Sequence, residues 1–244
     1  MNPTIKKFED NPAVANQFAA DLVDLISSLS RKQSQITVSL SGGSTPKLLF
    51  QVLAEKFADQ VDWKLVHFFW GDERCVPPSD VESNFGEANK LLLSLINIPP
   101  ENVHRVHGES DPTPERARYE AELMNTLETD DAGTPVFDIL ILGMGSDGHT
   151  ASIFPHEMEF LNSTRICEVA THPESGQKRI TITGKVLNAA RNVFFLITGE
   201  SKAGVLAEIL QQAGQFESYP TSFVNPICGA NFYIDRAAGA QLQT

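Results

Sequence analysis

The chain has 244 residues, with 19 Lys and Arg against 31 Asp and Glu, a formal net charge of −12. That field repels nucleic acid and anionic membrane surfaces, so neither is expected as a partner, and any phosphate-bearing ligand must be held by local cations and backbone amides. Hydrophobic residues at 41% and charged residues at 20% fit a folded globular chain, and no apolar run approaches the roughly 18 residues of a membrane span.

The opening "MNPTIKKFED" lacks the apolar core of a signal peptide. Cys75, Cys167 and Cys228 are scattered, with no C-x-x-C pair and hence no disulfide framework. Both features lead us to expect a cytoplasmic protein.

In chain order, Val14, Phe18, Leu22, Leu25 and Leu29 recur at helical spacing, with Asn11 as the cap and Pro12 at the first helical position. "QITVSLS" (35–41) reads as a buried strand. Thr45-Pro46 then opens a helix that carries Leu48, Leu49, Val52, Leu53 and Phe57. A strand is expected over 64–70, helices over 83–94 and 114–128, and an exposed loop at "ETDDAGTP" (128–135). Next come a strand over 136–143, a shorter one at "RITIT" (179–183), a helix over 184–191 and a strand over 192–198. A helix over 200–212 and a short strand at "NFYID" (231–235) finish the pattern. Strands alternating with helices imply an α/β fold, a mostly parallel sheet with helices on both faces. No repeat or linker divides it, so 1–244 is read as one domain. Ligands of such sheets sit beyond the carboxyl ends of the strands. The loops there read "SGGSTP", "GDERCVPP", "GMGSDGHT" and "TGESKA", and the topology brings them to one edge.

In "SGGSTP", Gly42 and Gly43 let backbone amides approach a ligand, Ser44 and Thr45 add hydroxyls, and the helix after them aims its amino end at the loop. This suits a phosphate, although a strand-to-helix turn that merely needs its glycines reads the same way. The G-x-x-x-x-G-K spacing of a nucleotide P-loop is absent. In "GDER", Arg74 can bind an oxyanion bidentately and Asp72 can orient it or bind sugar hydroxyls; a local ion pair in an acidic turn is the alternative. Lys202 falls in the first turn of a helix, against the helix-dipole preference, which an anion nearby would explain. A solvated lysine is the other reading. Arg179 and Lys178 are candidates of the same kind with less to single them out.

"GMGSDG" fits the G-x-G-x-x-G pattern of a dinucleotide turn, and Glu168 lies near the distance at which an acidic residue binds the ribose. However, Pro155 follows Gly148 by seven residues, too few for the crossover helix that such a unit needs. A serine-hydrolase elbow fails as well, because Met144 occupies the first glycine position around Ser146. The turn instead presents His149, two residues from Asp147. A histidine of ordinary pKa, about 6.5, suits proton transfer near neutral pH, and Asp147 can fix its tautomer or bind substrate. Taken alone, His149 reads equally as a loop histidine bonded to backbone. His104 and His107, at strand spacing, fall on opposite faces, and His67, His156 and His172 have no evident partners. No ligand set points to a metal, and no cofactor is expected.

Taken together, "SLSGGSTP", "FFWGDERCVPPSDVESNFGEA", "DILILGMGSDGHTASIFP", "KRITIT" and "TGESKA" span residues 39–203. In that order they resemble the glucosamine-6-phosphate isomerase/6-phosphogluconolactonase family, on its lactonase side. The resemblance implies the Rossmann-like fold shared with glucosamine-6-phosphate deaminase and ribose-5-phosphate isomerase. It further implies hydrolysis of 6-phospho-D-glucono-1,5-lactone to 6-phospho-D-gluconate in the oxidative pentose phosphate pathway, without a metal. His156 departs from the glycine expected after "FP". The deaminase side reads D-E-Y where this chain has "GDER", and has a glutamate five positions after the motif histidine, where Phe154 stands. A non-catalytic sugar-phosphate sensor would carry a DNA-binding module, for which about ten residues before the first helix leave no room. On the lactonase reading, Gly42 to Thr45 hold the 6-phosphate with help from Arg74 and Lys202, and His149 activates a water. Which of Arg74, Arg179 and Lys202 holds the phosphate and which faces the lactone end stays open at this stage.

Overall fold

A computed structural model describes residues 3–242. The chain runs β1 (Thr4–Phe8), α1 (Asn11–Leu29), β2 (Ile36–Leu40), α2 (Ser44–Lys56), β3 (Val66–Trp70), β4 (Asp72–Arg74), α3 (Asn84–Leu91) and α4 (Pro112–Thr126). It continues through β5 (Glu128–Thr129), β6 (Pro135–Val136), β7 (Ile139–Leu142), β8 (Cys167–Thr171), β9 (Lys178–Ile182), α5 (Gly184–Ala189), β10 (Val193–Ile197), α6 (Ala203–Gln211) and β11 (Ala230–Asp235).

Six strands form one parallel sheet in the order β1-β11-β10-β7-β2-β3. Both of its faces are covered, and the strand period of two divides the core accordingly. Ile139 and Ile141 of β7 pack on one side with Phe18 and Leu22 of α1 and Leu49 and Leu53 of α2. Leu140 and Leu142 pack on the other with Tyr119 of α4, Leu187 of α5 and Leu206 of α6. The same alternation separates Leu196 from Phe195 and Tyr233 from Phe232. Burying each such side chain contributes about 1.5–3 kcal/mol.

Several boundaries differ from the sequence expectation for local reasons. Asp10, not Asn11, caps α1, since its carboxylate accepts from the Ala13 N–H at 2.8 Å; Pro12 is then the second helical residue. Gly43, at φ 114°, precedes α2, so that helix starts at Ser44 rather than behind a Thr45 cap, and no side chain caps it. "RITIT" does not join the parallel sheet. Its strand, β9, lies between β4 and β8 in a small antiparallel sheet. The 128–135 segment is not an open loop but the β5–β6 hairpin, with Asp130 Oδ1 accepting from the Ala132 and Thr134 N–H groups. The strand β1 escaped sequence reading because "TIKKF" lies exposed at the sheet edge, where Lys6 and Lys7 do not alternate with apolar residues.

The strand order sets the location of the site. From β2 the chain moves outward to β3; from β7 it moves the opposite way to β10. The crevice at such a reversal, beyond the carboxyl ends of β2 and β7, is where open α/β sheets bind ligands.

Candidate active site

The loop after β7 closes on itself. The Gly145 N–H donates to the His149 carbonyl at 2.8 Å and the Gly148 N–H to the Gly145 carbonyl at 3.1 Å. Gly148 has φ 81°, and a Cβ there would lie 2.6 Å from the Tyr219 side chain. Thr221 bolts the turn from outside, its N–H and Oγ1 both donating to the Gly148 carbonyl. Only a short 3-10 turn, Pro155–Leu161, follows in place of a crossover helix. The dinucleotide pattern is thus used here for a tight turn.

That turn brings Asp147 Oδ1 to 2.6 Å from His149 Nδ1 and 3.2 Å from the His149 N–H. A carboxylate at Nδ1 puts the proton there and leaves Nε2 as the free acceptor. Burial pushes the Asp147 carboxyl up, but the hydrogen bond and charge of His149, with backbone N–H groups, outweigh it, and the pKa settles at about 2. Gly145 makes the pair possible: a Cβ on it would lie 2.1 Å from Nδ1 and 2.3 Å from Asp147 Oδ1.

His149 opens into a cavity of about 200 Å³ in the crevice between β2 and β7. Gly42, Asn84, Arg74, Arg179 and Lys202 share its wall. A second cavity of about 310 Å³ adjoins it; Gly42, Gly43, Arg74 and Asn84 line both, and Ser44 lines the second. Gly42 is required by close approach, since a Cβ on it would lie 1.9 Å from Asn84 Oδ1. The uncapped amino end of α2 thus faces a groove that also holds three cationic side chains.

The cations arrive from different elements. Antiparallel register sets Arg74 of β4 directly against Arg179 of β9. Like charges opposed across strands repel. Arg74 donates to the Glu82 carbonyl at 2.5 Å, and the buried Nε of each arginine has no partner among the described residues. Two desolvated guanidiniums with unused donors suit an anion. Burial pulls the Arg179 pKa down, Asp72 opposes this and Arg74 adds to it. Burial likewise lowers that of Lys202, against the charge of Asp147.

Asp72 is 5% exposed; its Oδ2 accepts from Ser152 Oγ at 2.6 Å, so it works within the wall. Its neighbour Glu73 faces away and accepts from the N–H groups of Arg74, Asn84 and Phe85, fixing the start of α3. The geometry departs from expectation at Thr45. That residue is buried, and its hydroxyl lies 2.8 Å from Thr198 Oγ1 rather than reaching the cavity. It ties the amino end of α2 to the end of β10, just before Lys202. Lys178, the first residue of β9, donates to Thr171 Oγ1 and lines neither cavity.

Sequence reasoning missed Asn84 and Ser152. Both lie inside the quoted stretches without readable chemistry of their own: Asn84 matters through its close approach to Gly42, and Ser152 through its bonds to Asp72 and Thr181, 80 and 29 residues away. It also left His67 without a partner, wrongly. His67 Nδ1 is 2.9 Å from His104 Nε2, and His104 Nδ1 is 2.9 Å from Glu122 Oε1, contacts spanning 37 and 18 residues. His172 bonds Ser175, three residues on. No group of three or more His, Cys, Asp or Glu is arranged to hold a metal among the described residues.

The family model for glucosamine-6-phosphate isomerases/6-phosphogluconolactonase matches residues 9–232. The chain belongs to that family. The 6-phosphogluconolactonase of Haemophilus influenzae is 48% identical over 205 residues, 83% of this chain and 86% of that one. The solved 6-phosphogluconolactonase of Thermotoga maritima superposes with a TM-score of 0.84 at 31% identity, over 96% of this chain and all of the other. A monomeric glucosamine-6-phosphate deaminase, at 20% identity and a TM-score of 0.79, shares the fold. Within this family the deaminase resemblance calls for a glutamate where this chain has Phe154. Here that ring is fully buried, with its centroid 4.8 Å from that of His149.

Proposed function

We infer that the chain hydrolyses 6-phospho-D-glucono-1,5-lactone to 6-phospho-D-gluconate, the ring-opening hydrolysis of the oxidative pentose phosphate pathway. One observation carries this reading: the His149–Asp147 pair opens onto the same cavity as Arg74, Arg179 and Lys202, beside the uncapped start of α2.

The 6-phosphate lies against Gly42, Gly43 and Ser44, beside Arg74, with Lys202 contributing its charge from the adjoining His149 cavity. Their charges and the free amides of α2 offset the net −12 of the chain locally. His149 Nε2 takes a proton from a water, whose oxygen attacks C1. The carbonyl electrons move onto oxygen, and the resulting oxyanion then collapses and breaks the bond from C1 to the ring oxygen. The proton on Nε2 passes to that leaving oxygen. Asp147, ionised throughout, keeps Nδ1 protonated and stabilises the imidazolium. General-base assistance supplies about 10²–10⁴-fold. A lactone is a reactive ester, so no covalent intermediate is needed.

The substrate is a small phosphorylated sugar lactone, and the net charge argues against nucleic acid as a partner. No helix among the described residues is long and apolar enough to cross a membrane. Three free cysteines support a cytoplasmic setting. The buried Phe154 ring removes the carboxylate that a ring-opening isomerase would use beside its histidine.

The test is continuous acid release from freshly generated 6-phosphogluconolactone, corrected for spontaneous hydrolysis. Turnover well above background is expected, with no ammonia released from glucosamine 6-phosphate. Ammonia release without lactone hydrolysis overturns the reading.

A further inference from the structure

The cavity contains more cationic groups than one phosphate needs, and they are not equivalent. Arg74 lines both cavities, beside Gly42 and Gly43. Arg179, like Lys202, lines only the one that holds His149, but of these two only Arg179 is packed against the ring that His149 touches. Its guanidinium carbon lies 5.6 Å from the centroid of Phe154, the same ring that packs against His149 at 4.8 Å. One rigid, fully buried aromatic side chain therefore sets the spacing between the base and this guanidinium. Arg179 is also the more tightly enclosed, at 9% exposure, and its Nε is an unused buried donor.

The orientation of Arg179 has a definite source. Ser152, with no exposed surface, donates from Oγ to Asp72 Oδ2 at 2.6 Å, and Arg179 Nη1 lies 3.5 Å from the same Oγ. The Ser152 N–H donates to Thr181 Oγ1 at 3.1 Å. Ser152 therefore joins the loop of His149 to β4 through Asp72 and to β9 through Arg179 and Thr181.

We propose that Arg179 faces the lactone carbon and receives the oxyanion formed when water attacks C1, and that Ser152 is the positioning residue that holds it there through Asp72. The inference rests on the lactonase reading above. As the water oxygen bonds to C1, the carbonyl electron pair moves onto oxygen, beside the free donors of Arg179. On collapse that pair returns, the bond from C1 to the ring oxygen breaks, and the proton held by His149 passes to the ring oxygen. The carboxyl product then loses its proton to water and stays paired with the guanidinium until release. Arg179 thus binds the end of the substrate at which charge appears during reaction, while Arg74 and the start of α2 bind the end that is charged throughout. Donors aimed at developing charge act on kcat, whereas those aimed at standing charge act on KM.

The experiment compares Arg179→Ala, Arg179→Lys, Ser152→Ala and Ser152→Thr with the parent, using 6-phosphogluconolactone as substrate and inorganic phosphate as competitive inhibitor. Arg179→Ala is expected to lower kcat on the order of 10²-fold. KM and the phosphate inhibition constant should move less than about threefold, which is well under 1 kcal/mol of binding. Added guanidinium should restore part of the kcat of Arg179→Ala. Ser152→Ala should lower kcat on the order of tenfold, again without weakening phosphate, and Ser152→Thr, which keeps the hydroxyl, should recover it. If Arg179→Ala weakens phosphate and leaves kcat intact, Arg179 belongs to the phosphate end and the proposal is overturned. If the parent hydrolyses the lactone and Ser152→Ala matches it in kcat, the positioning role is overturned. Should Ser152→Ala or Arg179→Ala fail to fold, Ser152→Thr and Arg179→Lys decide: a Ser152→Thr kcat as low as that expected of the alanine variant, or an Arg179→Lys effect on KM alone, overturns it. A parent without lactonase activity sinks the functional reading itself, an outcome visible before any variant is made.

Discussion

His149 Nδ1 and Asp147 Oδ1 stand 2.6 Å apart across a turn that the Gly145 N–H closes on the His149 carbonyl. The short separation makes the aspartate a fixed orienter of the imidazole, since both belong to one closed turn and cannot drift independently. His149→Ala should lower kcat by about 10²–10⁴-fold while KM changes little. Asp147→Asn preserves shape but offers Nδ1 either an amide donor or a neutral acceptor, and should lower kcat by at least about tenfold. Steady-state kinetics against the spontaneous rate measure both, and a near-parental kcat in His149→Ala would remove it as the base. Because the Asp147 carboxyl is held at about 2, it remains ionised through the working range.

Arg74→Ala should raise KM for the phosphorylated lactone by about 10- to 100-fold, the effect of losing a charge-assisted bond worth roughly 1.5–3 kcal/mol. The substrate pair that checks this is 6-phosphogluconolactone against gluconolactone without phosphate. The variant should lose its disadvantage on the second. An equal loss on both would mean that Arg74 does not hold the phosphate.

Gly145→Ala tests the turn itself. The added Cβ would sit 2.1 Å from His149 Nδ1 and 2.3 Å from its partner oxygen, so the imidazole or the carboxylate must move. A displacement of that size should cost on the order of 10²-fold in kcat. Inorganic phosphate binding, which depends on Gly42 to Ser44 and Arg74, should stay within about twofold, less than 0.5 kcal/mol. Retention of full kcat would show that the loop has slack, against the geometry described.

The sheet and its catalytic edge were legible because their signals are local. "ILIL" in β7 is apolar at every position, as a strand covered on both faces requires, and Pro155 with the polar "DGHT" before it removed the dinucleotide reading. The loops after β2, β3, β7 and β10 follow from those strands, and the parallel topology brings them together. What stayed hidden depends on pairing between distant segments. Nothing in "RITIT" says that Arg179 is set against Arg74, because its partner lies 105 positions earlier and the register belongs to a second, antiparallel sheet. Ser152 is an unremarkable serine until β4 and β9 close around it. Thr45 was misread for the opposite reason: its motif looked like a phosphate loop throughout, but its hydroxyl bonds Thr198 inside the fold.

Glu73 supplies a test of stability rather than activity. The carboxyl is 2% exposed, and burial pushes its pKa up to about 7, even though the N–H groups of Phe85, Asn84 and Arg74 pull it down. The unfolded chain releases this proton near the ordinary glutamate value of 4.5, whereas the folded one holds it to about 7. Between those values the native state binds more protons, so the contribution of Glu73 to stability is fully present below about 4.5 and is lost as pH rises through about 7. The span corresponds to a few kcal/mol at most, at roughly 1.4 kcal/mol per pKa unit. Glu73→Gln cannot titrate. Denaturant unfolding of parent and variant at pH 5 and pH 8 should therefore show the parent losing more stability over that interval, since all other carboxyls are common to both. If the difference between the two proteins does not change with pH, Glu73 is ionised in the fold across the whole interval, with its three backbone N–H donors outweighing its burial.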